Sequence, residues 1–310
     1  MYKNKFVVYF KGVRGSHPVA QKEFMKYGGN TSCIYVNVNN KRIILDAGSG
    51  IINAGNQIRE ERISFQEKPP FRTTLLLSHL HFDHIHGLPF FNYLHHPESK
   101  INLFCRAKNN EELKQNLSEV LFNKSFPLDI DEIKSDLRLH SINDINNDFA
   151  IILRENEDEP YITTIGETDK AGENDVVITS MFSKTHPKEG VTIYKISYKG
   201  KSVVYATDKE CYQGGDKALG IFARDCDLLI HDSQYTQEDY SSVVYIKQGF
   251  GHSTFDMAIK EKEISHAKNL AFFHYDTRYN DERLDEIKNS LIDKTEGLIF
   301  SKENQKIEIL

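Results

Sequence analysis

Residues 79–84 read His-Leu-His-Phe-Asp-His, so His79, His81, Asp83 and His84 bring three imidazoles and one carboxylate into six consecutive positions. The run follows a short apolar stretch at residues 74–77 that suits a buried strand. A strand end followed by a tight loop lets alternate side chains converge. His79 and His81 can then address one ion, while Asp83 and His84, further round the turn, can address a second. Imidazoles with one carboxylate suit zinc, and also manganese or iron, better than calcium or magnesium. The chain has only 13 histidines in 310 residues, so a chance cluster of this kind explains the run poorly.

Four residues cannot close two ion sites, so further ligands are expected downstream. His186 follows an apolar run at 179–184, Asp208 follows 203–206, and His274 follows 270–273. Each stands where a strand stops, the position from which a side chain can reach a shared cleft. Singly, each also reads as a satisfied structural polar group. Together they supply one more ligand for each ion and an aspartate able to bridge. The candidate metal ligands are therefore His79, His81, Asp83, His84, His186, Asp208 and His274.

The elements that must position these groups alternate along the chain. Residues 5–10 are β-rich and are broken by Gly12 and Gly15; Gly28-Gly29-Asn30 breaks the chain again. Strands are expected at 32–38 and 42–45, the latter closing on Asp46-Ala47-Gly48, and a helix at 51–61. Further strands are expected at 101–105, 176–181, 191–198, 202–206, 227–230 and 270–273, with helices at 110–122, 255–267 and 281–291. The acidic, weakly periodic stretch 154–175 reads as a solvated hairpin on the surface and not as a linker. Strands and helices mixed over the whole length indicate an α/β arrangement with helices on the outer faces of sheets. The chain reads as a single domain, 1–310, with an insertion around 105–175. One weak echo is visible: a strand ends in an aspartate turn at Leu45-Asp46-Ala47 and again at Ala206-Thr207-Asp208.

Composition narrows the function. The formal charge of -6 argues against a non-specific nucleic-acid binder, which carries a basic excess. Bound divalent metals would offset several of the negative charges. The four cysteines are scattered without a C-x-x-C, as expected of buried thiols in a reducing cytoplasm. The N-terminus lacks the apolar core and cleavage site of a signal peptide, and no apolar stretch approaches the ~20 residues of a membrane span.

With these residues in hand, the chain resembles the metallo-β-lactamase superfamily and, within it, the tRNase Z-like branch. The motif His79-x-His81-x-Asp83-His84 is followed in order by His186, by Asp208 at a strand end and by the pair His231-Asp232. His252-Ser253-Thr254 then opens a helix, and His274 leads into Arg278-Tyr279. Gly12-Val13-Arg14-Gly15-Ser16 and Tyr27-Gly28-Gly29-Asn30 are similar to bacterial phosphodiesterase-like members. The match runs from about residue 10 to residue 280, interrupted mainly between 105 and 176. The resemblance implies an αββα four-layer sandwich with two divalent metal ions at one edge, zinc first and manganese or iron as alternatives. It places His79, His81 and His186 on one ion, Asp83, His84 and His274 on the other, and Asp208 between them.

Two such ions ~3.5–4 Å apart can hold a hydroxide that attacks a phosphodiester, because coordination lowers the pKa of bound water toward ~7. Asp83, His252 and Asp232 are the candidate catalytic residues. His252 would protonate the leaving alkoxide, and Asp232 would orient it and favour its imidazolium form. Asp46 and His231 read as supports for the ligands, and His86 as a substrate contact or a packing residue. Arg14, His17, Asn30 and Thr31 are candidates for the phosphate end of the cleft.

The expected substrate is a small phosphodiester, a cyclic nucleotide first. The alternative is a tRNase Z-like endoribonuclease acting on tRNA 3′ ends. Against that alternative stand the acidic charge and the short hairpin joining His186 to Asp208, where the tRNA-processing family carries a long arm. Nucleic acid is therefore the less favoured partner, no membrane is expected, and branch membership implies a homodimer.

Overall fold

Alternation along the strands divides their side chains between two cores. In β1 (Phe6–Gly12), Phe6, Val8 and Phe10 enter one apolar cluster, while Tyr9 packs against another on the opposite face. In β2 (Cys33–Val38), Ile34, Val36 and Val38 join the first cluster, and Cys33 and Tyr35 the second. β3 (Lys41–Leu45) repeats the pattern, with Ile43 and Leu45 opposed to Ile44. The two-residue period of a strand requires this division. A sheet apolar on both faces must be covered on both.

The computed structural model describes residues 2–124, 126–143, 148–291 and 293–310. Its first sheet adds β4 (Phe71–Leu76), β5 (Ser99–Cys105) and β6 (Asp136–Ser141) beyond β3, and β15 (Lys306–Glu308) on the outer side of β1. The second sheet comprises β7 (Phe149–Leu153), β8 (Tyr161–Thr164), β9 (Val176–Ser183), β10 (Val191–Tyr198), β11 (Lys201–Ala206), β12 (Leu228–Asp232), β13 (Asn269–Phe273) and β14 (Leu298–Phe300). Its order is β14-β13-β12-β11-β10-β9-β7-β8. The inter-sheet core joins Phe10 and Ile34 of the first sheet to Ile193, Tyr205 and Phe273 of the second.

Helices close the outer faces. α1 (Ile51–Phe65) and α3 (Asn110–Leu117) place Ile51, Ala54, Ile58, Leu113 and Leu117 on the first sheet's outer core. α4 (Lys217–Phe222), α6 (Phe255–Ser265) and α7 (Asp281–Leu291) contribute Leu219, Ala258 and Leu284 to the second sheet. The layers are those of an αββα sandwich.

Within each sheet one half is parallel: β3 to β6 in the first and β11 to β14 in the second. Open parallel sheets bind ligands outside the carboxyl ends of their strands. The histidine cluster follows β4, Asp208 follows β11 and His274 follows β13, so the parallel halves carry the candidate ligands to one edge.

Residues 105–175 lend strands to both sheets: β6 pairs with β5, and β7 and β8 extend the second sheet from β9. The weak periodicity of the acidic part has a physical cause. β8 is an edge strand with both faces largely exposed, so no alternation marks it. Residues 144–147 of this stretch lie outside the described residues. The helix expected over 110–122 ends at Leu117 and continues as a wider, π-type turn through Ser118–Phe122. All four cysteines are buried free thiols. Among the described residues no helix is long and apolar enough to cross a membrane.

Candidate metal centre and active site

Three non-glycine residues at the centre turn the chain in the left-handed region. Asp46 (φ 60°) ends β3, Asp208 (φ 50°) ends β11 and His274 (φ 65°) ends β13. Each such turn costs roughly 1 kcal/mol or more and persists where surrounding contacts over-determine it. The echo between the two aspartate turns thus extends to their backbone. α2 (Phe82–Ile85) begins inside the histidine motif and carries Asp83 and His84.

The seven candidate ligands meet as two groups, and a third joins Asp208 and His274 to Asp232 and His252. His79, His81, His186 and Asp208 direct ligand atoms that all lie within 4.8 Å of one another, and Asp83, His84 and His274 form a second such group. His186 Nε2 is 2.9 Å from His81 Nδ1, and His84 Nε2 is 3.2 Å from His274 Nε2. Asp83 Oδ2 lies 3.1 Å from His274 Nε2. The Asp208 carboxylate divides between the groups. Its Oδ2 faces His79 at 3.6 Å and His186 at 3.5 Å. Its Oδ1 faces His84 at 3.1 Å and His274 at 3.2 Å.

This donor set fits a pair of cations. His79 Nε2 is buried and has no hydrogen-bond partner among the described residues, a costly state that a cation would relieve. Burial and the neighbouring His84 hold the His79 pKa well below its ordinary value, and burial brings His186 down to about 4. Both rings are therefore neutral near pH 7, as metal ligation requires. Burial opposes a charge on His84, yet Asp208, Asp83 and Asp46 outweigh it and raise its pKa well above the ordinary value. Burial alone would raise the Asp208 carboxyl, but the facing His274 and His84 imidazoles keep it well below the carboxylate range. A site that gathers positive charge around these aspartates is one where a divalent cation can replace the protons.

Three of the ring nitrogens turned away from the centre are fixed by hydrogen bonds. His84 Nδ1 pairs with Asp46 Oδ2 at 2.7 Å, His79 Nδ1 with Ser78 Oγ at 3.0 Å, and His186 Nδ1 with the Gly251 carbonyl at 3.2 Å. Asp46, fully buried, also accepts from Ser78 N and Oγ and from the Tyr205 hydroxyl at 2.7–2.8 Å. Such partners set the tautomer and basicity of a ligand. Asp46→Ala is expected to weaken metal affinity about 10- to 100-fold, the usual scale for this kind of support. Competition with a chromophoric chelator measures it, and unchanged affinity would remove Asp46 from this role.

His252 is held just ahead of α6, whose first turn is capped by Thr254. Its Nδ1 pairs with Asp232 Oδ2 at 2.8 Å, and its ring stacks on His274 with centroids 5.0 Å apart. The other Asp232 oxygen accepts from Ser253 N at 2.8 Å and Gln234 N at 3.2 Å. Burial disfavours the imidazolium, but Asp232, with Asp208 and Asp83 beyond it, raises the His252 pKa to about 9. The arrangement can hold a proton beside the two ligand groups at neutral pH.

Other sequence candidates lie elsewhere. Arg14 is fully buried, with Nε on the Gly28 carbonyl at 2.8 Å and a terminal nitrogen on the Tyr279 carbonyl at 2.6 Å. It ties backbone segments together and does not line a phosphate site. Asn30 bonds Glu303 and Ser49, Thr31 accepts from Ser49 N, and His17 is exposed against the Pro18 carbonyl. His231 turns to the Asp232 carbonyl and to Cys211, and burial lowers its pKa to about 4. His86 stacks on Phe82 with centroids 5.0 Å apart.

Several contributors carry no residue-type signal. Ser16 donates its backbone N–H to Asp83 Oδ2 at 2.7 Å. Lys209 is buried and bonds Asp216 and Thr185, the residue before His186. Two glycines permit close approach. A Cβ on Gly15 would stand 2.4 Å from the His274 ring, and one on Gly251 (φ 90°) would stand 2.1 Å from His186 Nδ1. Gly15 and Ser16 lie in a motif that the sequence already singles out; Gly251 and Lys209 do not.

The family model described as a "Beta-lactamase superfamily domain" matches residues 41–275, and the chain belongs to that superfamily. Its sequence relatives are tRNase Z-like, and its clustered histidines and carboxylates form the kind of donor set that a metal-dependent hydrolase needs. The chain is 27% identical to a ribonuclease Z of Picrophilus torridus over 308 aligned positions, covering 90% of this chain and 88% of that protein. A ribonuclease Z of Nanoarchaeum equitans is 26% identical, covering 94% and 90%. Among solved structures, the metallo-beta-lactamase fold protein YhfI from Bacillus subtilis superposes with a TM-score of 0.65 at 16% identity, over 99% of this chain and 100% of that one. This last likeness concerns the fold alone.

Proposed function

We propose that the protein is a two-cation phosphodiesterase that cleaves RNA at a tRNA 3′ end. The observation that carries the two-cation reading is the Asp208 carboxylate, one oxygen turned to each histidine group. His79, His81 and His186 would hold one cation, Asp83, His84 and His274 the other, with zinc first and manganese or iron as alternatives. Two such cations supply Lewis acidity to a phosphate and a water acidified toward neutrality. His252, held by Asp232, keeps a proton where a leaving alkoxide needs one. Asp83, held by Ser16 N, keeps its carboxylate turned to His274.

The choice of RNA rests on relatives named ribonuclease Z that match along nearly their full length. It reverses the order reached from sequence, where a cyclic nucleotide came first. The cyclic nucleotide remains a second reading because His186 and Asp208 are joined by little more than the β10–β11 hairpin, with no long arm between them. A cytoplasmic homodimer built on the whole chain, 1–310, completes the proposal, and the four reduced thiols agree with that compartment.

The test incubates the zinc- or manganese-loaded protein with precursor tRNA and, separately, with purine and pyrimidine cyclic nucleotides. Cleavage of the tRNA 3′ trailer is expected. Turnover of cyclic nucleotides with intact tRNA would restore the other order.

A further inference from the structure

The segment between α5 (Gln237–Tyr240) and His252 exposes a run of large apolar side chains beside the candidate active site. Val243 is 92% exposed, Tyr245 73% and Phe250 53%. Water-facing apolar side chains in such a run call for a partner. The segment is also anchored. Glu210, two residues beyond Asp208, accepts from Gly249 N at 2.8 Å, Gly251 N at 2.9 Å and the Tyr240 hydroxyl at 2.7 Å. The Gly251 carbonyl faces His186 Nδ1, and the next residue is His252. Lys247 sets its ammonium 5.3 Å from the Tyr235 ring centroid and 5.7 Å from that of Phe250, and Tyr235 in turn meets the His252 ring edge-on. On the histidine motif, Phe82 stands between His81 and Asp83 and is 62% exposed.

Phe82 thus stands next in the chain to ligands of both groups, and the exposed Phe250 stands two residues before His252 with the Lys247 ammonium between it and the buried Tyr235. We infer that Phe250 and Tyr245, with Lys247, form a stacking platform for unpaired nucleotides beside the scissile phosphate. Phe82 offers a second ring on the motif that carries the ligands. Bases have apolar faces that stack on such rings, and the phosphates between them attract the ammonium. A second copy of this chain would bury Val243 and Ile246 equally well. It would not call for a lysine between two rings on a segment that ends on the proposed proton donor.

This inference deepens the RNA reading and rests on it. The experiment measures kcat/KM for precursor tRNA relative to that for bis(p-nitrophenyl) phosphate, which has no base. Wild type, Phe250→Ala, Tyr245→Ala and Phe250→Trp are compared on normal RNA and on RNA with an abasic nucleotide on one side of the cleaved bond. Far-UV circular dichroism checks folding, and sedimentation checks assembly. The tRNA-to-diester ratio is expected to fall about 5- to 100-fold in each alanine variant, the effect of one lost base stack. It should be retained in Phe250→Trp, and the abasic penalty of wild type should shrink in at least one alanine variant. Equal abasic penalties in all proteins would overturn the platform, as would altered sedimentation with an unchanged ratio. Diester hydrolysis without RNA cleavage would refute an RNA strand as the occupant while leaving a phosphodiesterase. No hydrolysis of any phosphodiester would refute the proposed function and this inference together.

Discussion

Asp208→Ala is expected to lose at least one cation and to lower turnover by at least about a thousandfold. Asp208 is buried at the end of β11, and among the described residues no other carboxylate faces both histidine groups through separate oxygens. Removing it would take a ligand from each of the two proposed ions and leave them unscreened from one another. Losing a single electrostatic donor to a transition state typically costs 10²–10³ in rate, and this change disturbs both Lewis acids at once. Elemental analysis of the purified variant counts the metal, and steady-state kinetics on bis(p-nitrophenyl) phosphate read the rate. Asp208→Asn, which keeps the shape and removes the charge, should also be impaired. A variant with two bound metals and near-normal turnover would contradict the bridging role.

His252→Ala is expected to cut turnover on RNA by about 100-fold or more, the scale of a lost general acid, with metal content intact. The loss should be smaller on bis(p-nitrophenyl) phosphate, whose leaving phenolate needs little help from a proton. Equal losses on both substrates would assign His252 to ground-state positioning instead. The pH profile gives an independent reading. The proposed acid role of His252 requires its imidazolium form, so the rate is expected to fall as pH rises through its pKa. The Asp232 carboxylate raises that pKa to about 9 against the effect of burial. Two loaded cations favour the neutral ring and bring the alkaline limb below that value. Asp232→Asn removes the raising charge and should move the limb to lower pH by roughly one to three units, the usual effect of a close opposite charge. An unmoved limb would dissociate the pair from the observed ionisation.

The parts of the centre that sequence makes visible are those where residue type and strand ends coincide. His186, Asp208 and His274 each follow an apolar run, and the runs are the strands β9, β11 and β13 of one sheet. The parts it conceals act through backbone or through distance. Ser16 holds Asp83 with an amide N–H that any residue but proline owns. Tyr205 reaches Asp46 from the opposing sheet, and nothing local marks that pairing. Arg14 shows the converse error: a charged side chain in a glycine-flanked turn suggests phosphate, but its guanidinium is buried and donates to three backbone carbonyls. The acidic 154–175 stretch conceals β8 because an edge strand wetted on both faces has no alternating signature.

The centre has one further consequence, set by its place at the seam of the sandwich. His79, His81, Asp83 and His84 come from the loop after β4, whereas His186, Asp208 and His274 come from loops after β9, β11 and β13, so each ligand group takes members from both sheets. Neither half of the molecule could therefore hold either of the proposed ions with its full ligand set before the halves have docked. Assembly of the tertiary interface and maturation of the enzyme become a single event, and an immature chain with only one sheet formed would have no hydrolytic chemistry to misdirect.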